Sequence, residues 1–194
     1  MIVITGATSG LGKQAAKVLA SKNGTLVLAV RDIQKAEGVV QEIRRAFPQA
    51  QFDIRYLDLS SLESVRTFAQ GILTSRVRID VLINNAGIMA SPFARTKDGF
   101  EIQMGTNHLG HFALTGLLMP LLMKTRASRV VATSSIAHSQ GIIDFSDINW
   151  KEREYNTGNA YGDSKLANLY FAYELSRKLK KETNAPVVTA AHPG

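Results

Sequence analysis

The sequence predicts an α/β fold built on a doubly wound parallel sheet, and three observations carry the prediction. Short β-branched runs alternate with longer amphipathic runs along the whole chain. The short runs are apolar almost throughout rather than at every second position, as strands covered on both faces require. The first short run also ends in a glycine cluster that opens a helical stretch, the connection at which such sheets hold a phosphate.

In chain order, strands are expected over 2–5 (IVIT), 25–30 (TLVLAV), 52–57 (FDIRYL), 79–84 (IDVLIN), 129–134 (RVVATS) and 186–191 (PVVTAA). The first connection carries apolar residues at helical spacing, Leu11, Ala15, Val18 and Leu19, and the third repeats the pattern with Leu62, Val65, Phe68 and Ile72. Two longer helices with wide apolar faces are expected over 99–123 and 159–181, and by resemblance to the family named below they would support self-association of a full-length chain. The stretch Ile136 to Asn159 is irregular, a length that is usually functional or disordered, and Trp150, Phe145 and Ile148 favour a packed loop there. At 194 residues and 45% hydrophobic content the chain suits one domain spanning 1–194.

Composition narrows the function classes. The absence of cysteine excludes disulfides, thiolate metal sites and cysteine nucleophiles, so redox chemistry would need a bound cofactor. A net charge of +7 raises nucleic-acid binding, but the basic residues are dispersed, and the one cluster, Arg177 to Lys181, fits a solvated helix C-terminus. Attraction of an anionic cofactor accounts for the excess charge. The most apolar run, Leu114 to Met123, is too short to span a membrane and contains Gly116 and Pro120. MIVITG reads as a strand entering a turn rather than as a secretory signal. A soluble, cytoplasmic protein without a membrane anchor is the expectation.

The segment TGATSGLGK, Thr5 to Lys13, places Gly6, Gly10 and Gly12, with Ser9 and Leu11 between them, at the junction of the first strand and helix. Exposed backbone amides and the helix dipole there favour a pyrophosphate, although the spacing is GxxxGxG and not GxGxxG. The end of the second strand ordinarily selects the nucleotide, a carboxylate binding the ribose 2′-hydroxyl of NAD and an arginine accommodating the 2′-phosphate of NADP. Arg31 stands there, followed by Asp32, which reads as the N-cap of a helix starting at Ile33. NADP(H) is therefore expected in preference to NAD(H), with Lys13 placed to assist.

Tyr161 and Lys165 lie four apart in a helical segment and so share one face; no other of the five tyrosines has a lysine at that spacing. Reducing a carbonyl by hydride transfer requires a proton donor, and the reverse reaction a base. A phenol does both when a neighbouring ammonium stabilises its anion, an attraction of about 4 kcal/mol at roughly 4 Å and an effective dielectric near 20. Ser135, just past the fifth strand, sits at the edge where open sheets bind ligands and is placed to orient a substrate carbonyl; Ser134 competes for that role.

TGATSGLG, the DLS of Asp58 to Ser60, NNAG over 84–87, Asn107 in TNHLGHF, TSS ending at Ser135, YGDSK and the terminal HPG occur in the order seen in short-chain dehydrogenases/reductases. The chain resembles that family from Ile2 to Gly194, and NHLGHF, SSIAH and YGDSKLAN are most similar to its retinol dehydrogenase and WW-domain oxidoreductase branch and bacterial relatives. The resemblance implies a Rossmann-type fold and a small, apolar carbonyl or alcohol substrate. It implies that Asp58 and Leu59 border the adenine, that Asn85, Ala86 and Gly87 follow the ribose, and that Pro193 and Gly194 also touch the cofactor. Asn107 would hold a water linking Lys165 to solvent, Lys165 would also bind the nicotinamide ribose, and Ser135 is favoured over Ser134. Asp58 as a helix cap and Asn107 as a simple polar kink remain open. Because family members continue past PG with a substrate-covering segment and a seventh strand, a C-terminally incomplete domain is expected, and with it a rival reading as a cofactor-binding module without catalysis. The loop 136–159 would then form a rim or lid.

Two other constellations are set aside. His108 and His111 in NHLGH lack the nearby carboxylate of common zinc sites, so no metal is expected and helix packing is favoured. Ser135, His138 and Asp144 imitate a hydrolase triad but lack a GxSxG elbow.

Overall fold

The computed structural model describes residues 1–193 and contains one sheet of six parallel strands in the order β3-β2-β1-β4-β5-β6. The strands are β1 (Ile2–Thr5), β2 (Thr25–Val30), β3 (Gln51–Tyr56), β4 (Val81–Asn84), β5 (Arg129–Thr133) and β6 (Val187–Ala191). The connecting helices are α1 (Gly10–Ser21), α2 (Ile33–Ala46), α3 (Leu62–Ser75), α4 (Gly110–Lys124) and α5 (Thr157–Leu179). The winding reverses between β1 and β4, the crevice where open α/β sheets bind ligands at their carboxyl ends.

Alternate residues of the central strands enter two separate cores. Val3 and Val27 join Val65, Phe68, Leu114, Leu118 and Leu122 from α3 and α4, whereas Ile4, Leu26 and Leu28 join Ala16, Val39, Val40 and Ile43 from α1 and α2. Burial on both faces is why these strands are apolar throughout. β3 departs from that pattern because it is an edge: Asp53 pairs with Arg55 and Arg76, and such charge discourages further strand pairing.

The first connection buries a different face from the one its large side chains suggest. Gly12, Ala16 and Ala20 are buried, whereas Leu11 and Val18 are 52% and 50% exposed. Small residues let α1 lie close to the strand ends, and a Cβ at Gly12 would overlap the Gly6 carbonyl oxygen. Leu11 is exposed because it faces the crevice.

The expected helix over 99–123 starts later and begins irregularly. A π-helical segment (Met104–Leu109) precedes α4, after a bridge between Arg95 and Glu101. The stretch after β5 forms a short 3₁₀ helix (Ile136–Gln140) and then an irregular but fastened loop. Trp150 is buried, with the Arg153 guanidinium 3.6 Å from its ring centre. Asp147 accepts the backbone N–H groups of Lys151, Glu152 and Arg153, while Asp163 of α5 accepts from Ile142 N–H at 2.7 Å. Fully buried Glu101 accepts the Tyr155 hydroxyl at 2.9 Å and the backbone N–H groups of Gln103 and Met104. The loop is therefore packed against the body rather than free, with Phe145 pointing out at 79% exposure rather than packing inward. Among the described residues no helix is long and apolar enough to cross a membrane.

Candidate active site

Two adjoining clefts lie along the carboxyl edge of the sheet and share Leu11, Asn85, Gly87 and Ile88. The larger, of about 480 Å³, is lined by the glycine loop from Gly6 through Ser9, Gly10, Leu11 and Gly12, by Arg31, Asp32 and Lys35 after β2, and by Leu57, Leu59 and Ala86. The smaller, of about 290 Å³, is lined by Thr133, Ser134, Ser135, Tyr161, Lys165, Met89 and Pro193. Of the described residues singled out from sequence for the site, all but Lys13, Asp58 and Asn107 line this groove. Gly194 lies outside the described residues.

The larger cleft fits a dinucleotide on its own geometry. Gly6 adopts φ +68°, and a Cβ on it would strike Ala86, so only glycine leaves room at the turn. Ser9 is the N-cap of α1 but makes no side-chain capping bond, which leaves the first-turn amides available to an anion. Asp32, which also lines the cleft, caps α2 by accepting the Lys35 N–H on one carboxylate oxygen at 2.8 Å, as expected. Arg31 and the Lys35 side chain line the same end of the cleft. Lys13 does not join them, because its ammonium pairs with Glu42 at 2.6 Å. Lys35 went unnoticed in the sequence, although one helical turn past the Asp32 cap is where a side chain returns toward the strand ends.

Leu57 and Leu59 border the cleft on either side of Asp58, whose carboxylate turns onto Ser60, accepting its N–H at 3.0 Å and its hydroxyl at 2.7 Å. Burial pushes that carboxyl up, but Ser60 together with Lys97 and Arg31 outweighs it and holds the group below its usual range. The cap of α3 is Ser61, which accepts from Ser64 N–H, not Asp58. Asn85 donates its side-chain amide to the Thr5 carbonyl at 2.8 Å, so the turn 85–87 is bound to the end of β1.

In the smaller cleft, Lys165 is 4% exposed, and its ammonium donates to the Thr133 carbonyl at 3.2 Å while lying 5.4 Å from the centre of the Tyr161 ring. Burial pushes this ammonium down to about 8, leaving it charged at neutral pH. The two serines divide their work. Buried Ser134 donates to the Lys165 backbone carbonyl at 2.9 Å, whereas half-buried Ser135 accepts the Ala137 N–H at 3.3 Å and keeps its own proton to give.

Asn107 lies in the π-helical segment and is fully buried. Its amide donates to the Ile88 carbonyl and to Ser164 Oγ, each at 2.9 Å, and its Oδ1 accepts the Ile88 N–H at 2.8 Å. The side chain is thus spent on protein partners, and its backbone carbonyl oxygen lies 2.8 Å from His111 Nδ1. Gly87 lies between these groups, since a Cβ there would come within 3.2 Å of Asn107 Oδ1 and 3.4 Å of Lys165 Nζ. The histidines of NHLGH have separate partners: Nδ1 of His108 meets Asn168 Oδ1 at 3.2 Å, and His111 bonds Thr5 and Asn107.

The short chain dehydrogenase family matches residues 1–194. Retinol dehydrogenase 13 of Homo sapiens is 48% identical over 193 residues, covering 100% of this chain and 58% of the relative. Retinol dehydrogenase 11 of Homo sapiens is 46% identical over 195 residues, covering 100% and 60%. Among solved structures, an uncharacterized protein from Mycobacterium Paratuberculosis aligns with a TM-score of 0.89 at 50% identity, covering 100% of this chain and 67% of that one. A short chain dehydrogenase from Escherichia coli CFT073 complexed with NADPH aligns with a TM-score of 0.78 at 26% identity, covering 100% and 75%. The chain spans 58% and 60% of the length of these two curated relatives.

Proposed function

The chain belongs to the short chain dehydrogenase family and to its retinol dehydrogenase-like branch, and on that premise we propose that it is an NADP(H)-dependent oxidoreductase interconverting a carbonyl and an alcohol. The observation that carries the reading is the continuity of the two clefts, which join an uncapped helix N-terminus at one end to Tyr161, Lys165 and Ser135 at the other.

When bound, the nicotinamide cofactor supplies or accepts the hydride. The glycine loop would hold its pyrophosphate, Leu57 and Leu59 would flank the adenine, and Arg31 with Lys35 would meet a 2′-phosphate. Family members bind NAD or NADP; the preference for NADP rests on those two cations and on the commitment of Asp32 to its cap. Ser135 gives its hydroxyl proton to the substrate carbonyl oxygen in a hydrogen bond that orients it. Tyr161 hands a proton to that oxygen as charge develops on it, and takes it back in the oxidative direction. Lys165, charged at neutral pH, stabilises the phenolate so formed, and the Asn107 carbonyl holds a water toward Lys165 that re-protonates the site.

Met89 at the mouth of the smaller cleft, with Ile136 beside Ser135, is 68% and 62% exposed respectively, which supports an apolar substrate. Self-association belongs to the same proposal, supported by exposed Phe112 and Leu117 on α4 and Tyr170 and Tyr173 on α5. The test is a titration of the protein with NADPH and NADH, followed by a screen of apolar aldehydes, ketones and alcohols. Tighter NADPH binding with turnover of a carbonyl is expected. NADH binding as tight as NADPH would overturn the cofactor assignment.

A further inference from the structure

We propose that His111 is a positioning residue of this site, a neutral imidazole protonated on Nδ1 that ties the end of β1 to the π-helical turn carrying Asn107. The inference deepens the reading above and rests on it where cofactor binding is concerned.

His111 stands in the first turn of α4 and is 2% exposed. Its Nδ1 lies 2.8 Å from the Asn107 backbone oxygen, and its Nε2 lies 2.8 Å from Thr5 Oγ1. A carbonyl oxygen can only accept, so Nδ1 carries the proton and, in a neutral ring, Nε2 presents a lone pair. The Thr5 hydroxyl must then donate to Nε2. Its lone pairs are left to accept the N–H groups of Asn85 and Ala86, both at 2.9 Å. The proton's other potential acceptor, the Ile83 carbonyl, is farther away at 3.4 Å.

Each bond in this series runs in one direction, from the amides of the 85–87 turn through Thr5 and His111 to the Asn107 carbonyl. A charged imidazole would present a third N–H to Thr5, whose two lone pairs are already engaged, leaving one buried donor unsatisfied. Burial, reinforced by the Lys165 ammonium, pushes the ring down to about 4 and keeps it neutral.

The two ends of the series are the two halves of the groove. The 85–87 turn lines both clefts, and Gly87 is close enough to Asn107 and Lys165 that a shift of the turn would be felt at the lysine. The His111 N–H takes one of the two lone pairs of the Asn107 carbonyl, which leaves the other for the water proposed above. An apolar residue would fill the same space without fixing either end. In the sequence His111 read as helix packing, because its partner Thr5 is 106 positions away.

The test begins with nitrogen NMR of the unaltered protein labelled at histidine. A ring protonated on Nδ1 with Nε2 bare is expected for His111; the Nε2–H tautomer or a charged ring near neutral pH would overturn the proposal. Two half-replacements then separate the ends. His111→Gln can accept the Thr5 hydroxyl and is expected to bind NADPH within about twofold of the unaltered protein, whereas His111→Asn can reach only Asn107 and should weaken binding by about tenfold. Equal losses in the two variants would reduce His111 to a packing residue and overturn the proposal. Failure of the unaltered protein to bind NADPH would sink the cofactor reading instead, and the tautomer would then judge the strut alone.

Discussion

The Lys165 ammonium lies 5.4 Å from the centre of the Tyr161 ring on one face of α5, and the described hydrogen bonds give it one acceptor, the Thr133 carbonyl. A buried cation with so little solvation destabilises the cofactor-free fold, and its charge is available to the neighbouring phenol.

That cost has a definite pH dependence. Below about pH 8 Lys165 is charged in both states, and the folded state bears the full burial penalty. Between about 8 and the usual 10.5 the folded protein has released the proton and the unfolded chain still holds it, so stability rises with pH. The gain attributable to Lys165 is about 3 kcal/mol across that window. Urea unfolding of the cofactor-free protein at pH 7.5 and 9.5 captures about 2 kcal/mol of that gain, and Lys165→Met is expected to be the more stable protein at the lower pH and to lose this share of the slope.

Arg31 and Lys35 should act on the nucleotide's 2′-phosphate and on little else. Arg31→Ala is expected to weaken NADPH binding by about tenfold or more while changing NADH binding less than twofold, as removal of one charge-assisted bond implies. Lys13→Ala, which removes only the pair with Glu42, should leave both affinities unchanged. Fluorescence titration with the two cofactors separates these outcomes.

The two serines should part in kinetics and stability. Ser135→Ala is expected to lower kcat, since we propose that its hydroxyl orients the substrate, and to cost less stability than Ser134→Ala, because it loses only the 3.3 Å bond from the Ala137 N–H. Ser134→Ala removes a buried bond to the Lys165 carbonyl and should cost about 1 kcal/mol of stability, measurable by thermal unfolding.

Glu101 fastens the end of the 141–156 loop through Tyr155. Replacing it by alanine orphans the N–H groups of Gln103 and Met104 and the Tyr155 hydroxyl, a loss of about 3 kcal/mol or more. The 141–156 loop should then become the first site of limited proteolysis.

Much of this site was legible because its parts are local. Three glycines after a strand, a cap at Asp32 and a tyrosine and lysine one turn apart each state their geometry within a few residues. What was not legible depends on contacts between distant segments. The buried face of α1 is not the one its large apolar residues mark, because a tight approach favours Gly12, Ala16 and Ala20, while Leu11 is exposed for the crevice. Lys13 and Lys35 both follow a strand end, and only their neighbours decide that one pairs with Glu42 and the other lines the cleft. Glu101 and His111 look like ordinary surface and helix residues until the chain brings Tyr155 and Thr5 to them.

Replacement of Tyr161 by phenylalanine tests the central claim most directly, because it removes one hydroxyl and leaves the ring beside Lys165. Turnover of a carbonyl substrate with NADPH should fall by about 10²–10⁴-fold, while the NADPH dissociation constant stays within about twofold. Turnover retained within tenfold in the phenylalanine variant would contradict the assignment of Tyr161 as the acid and base of this site.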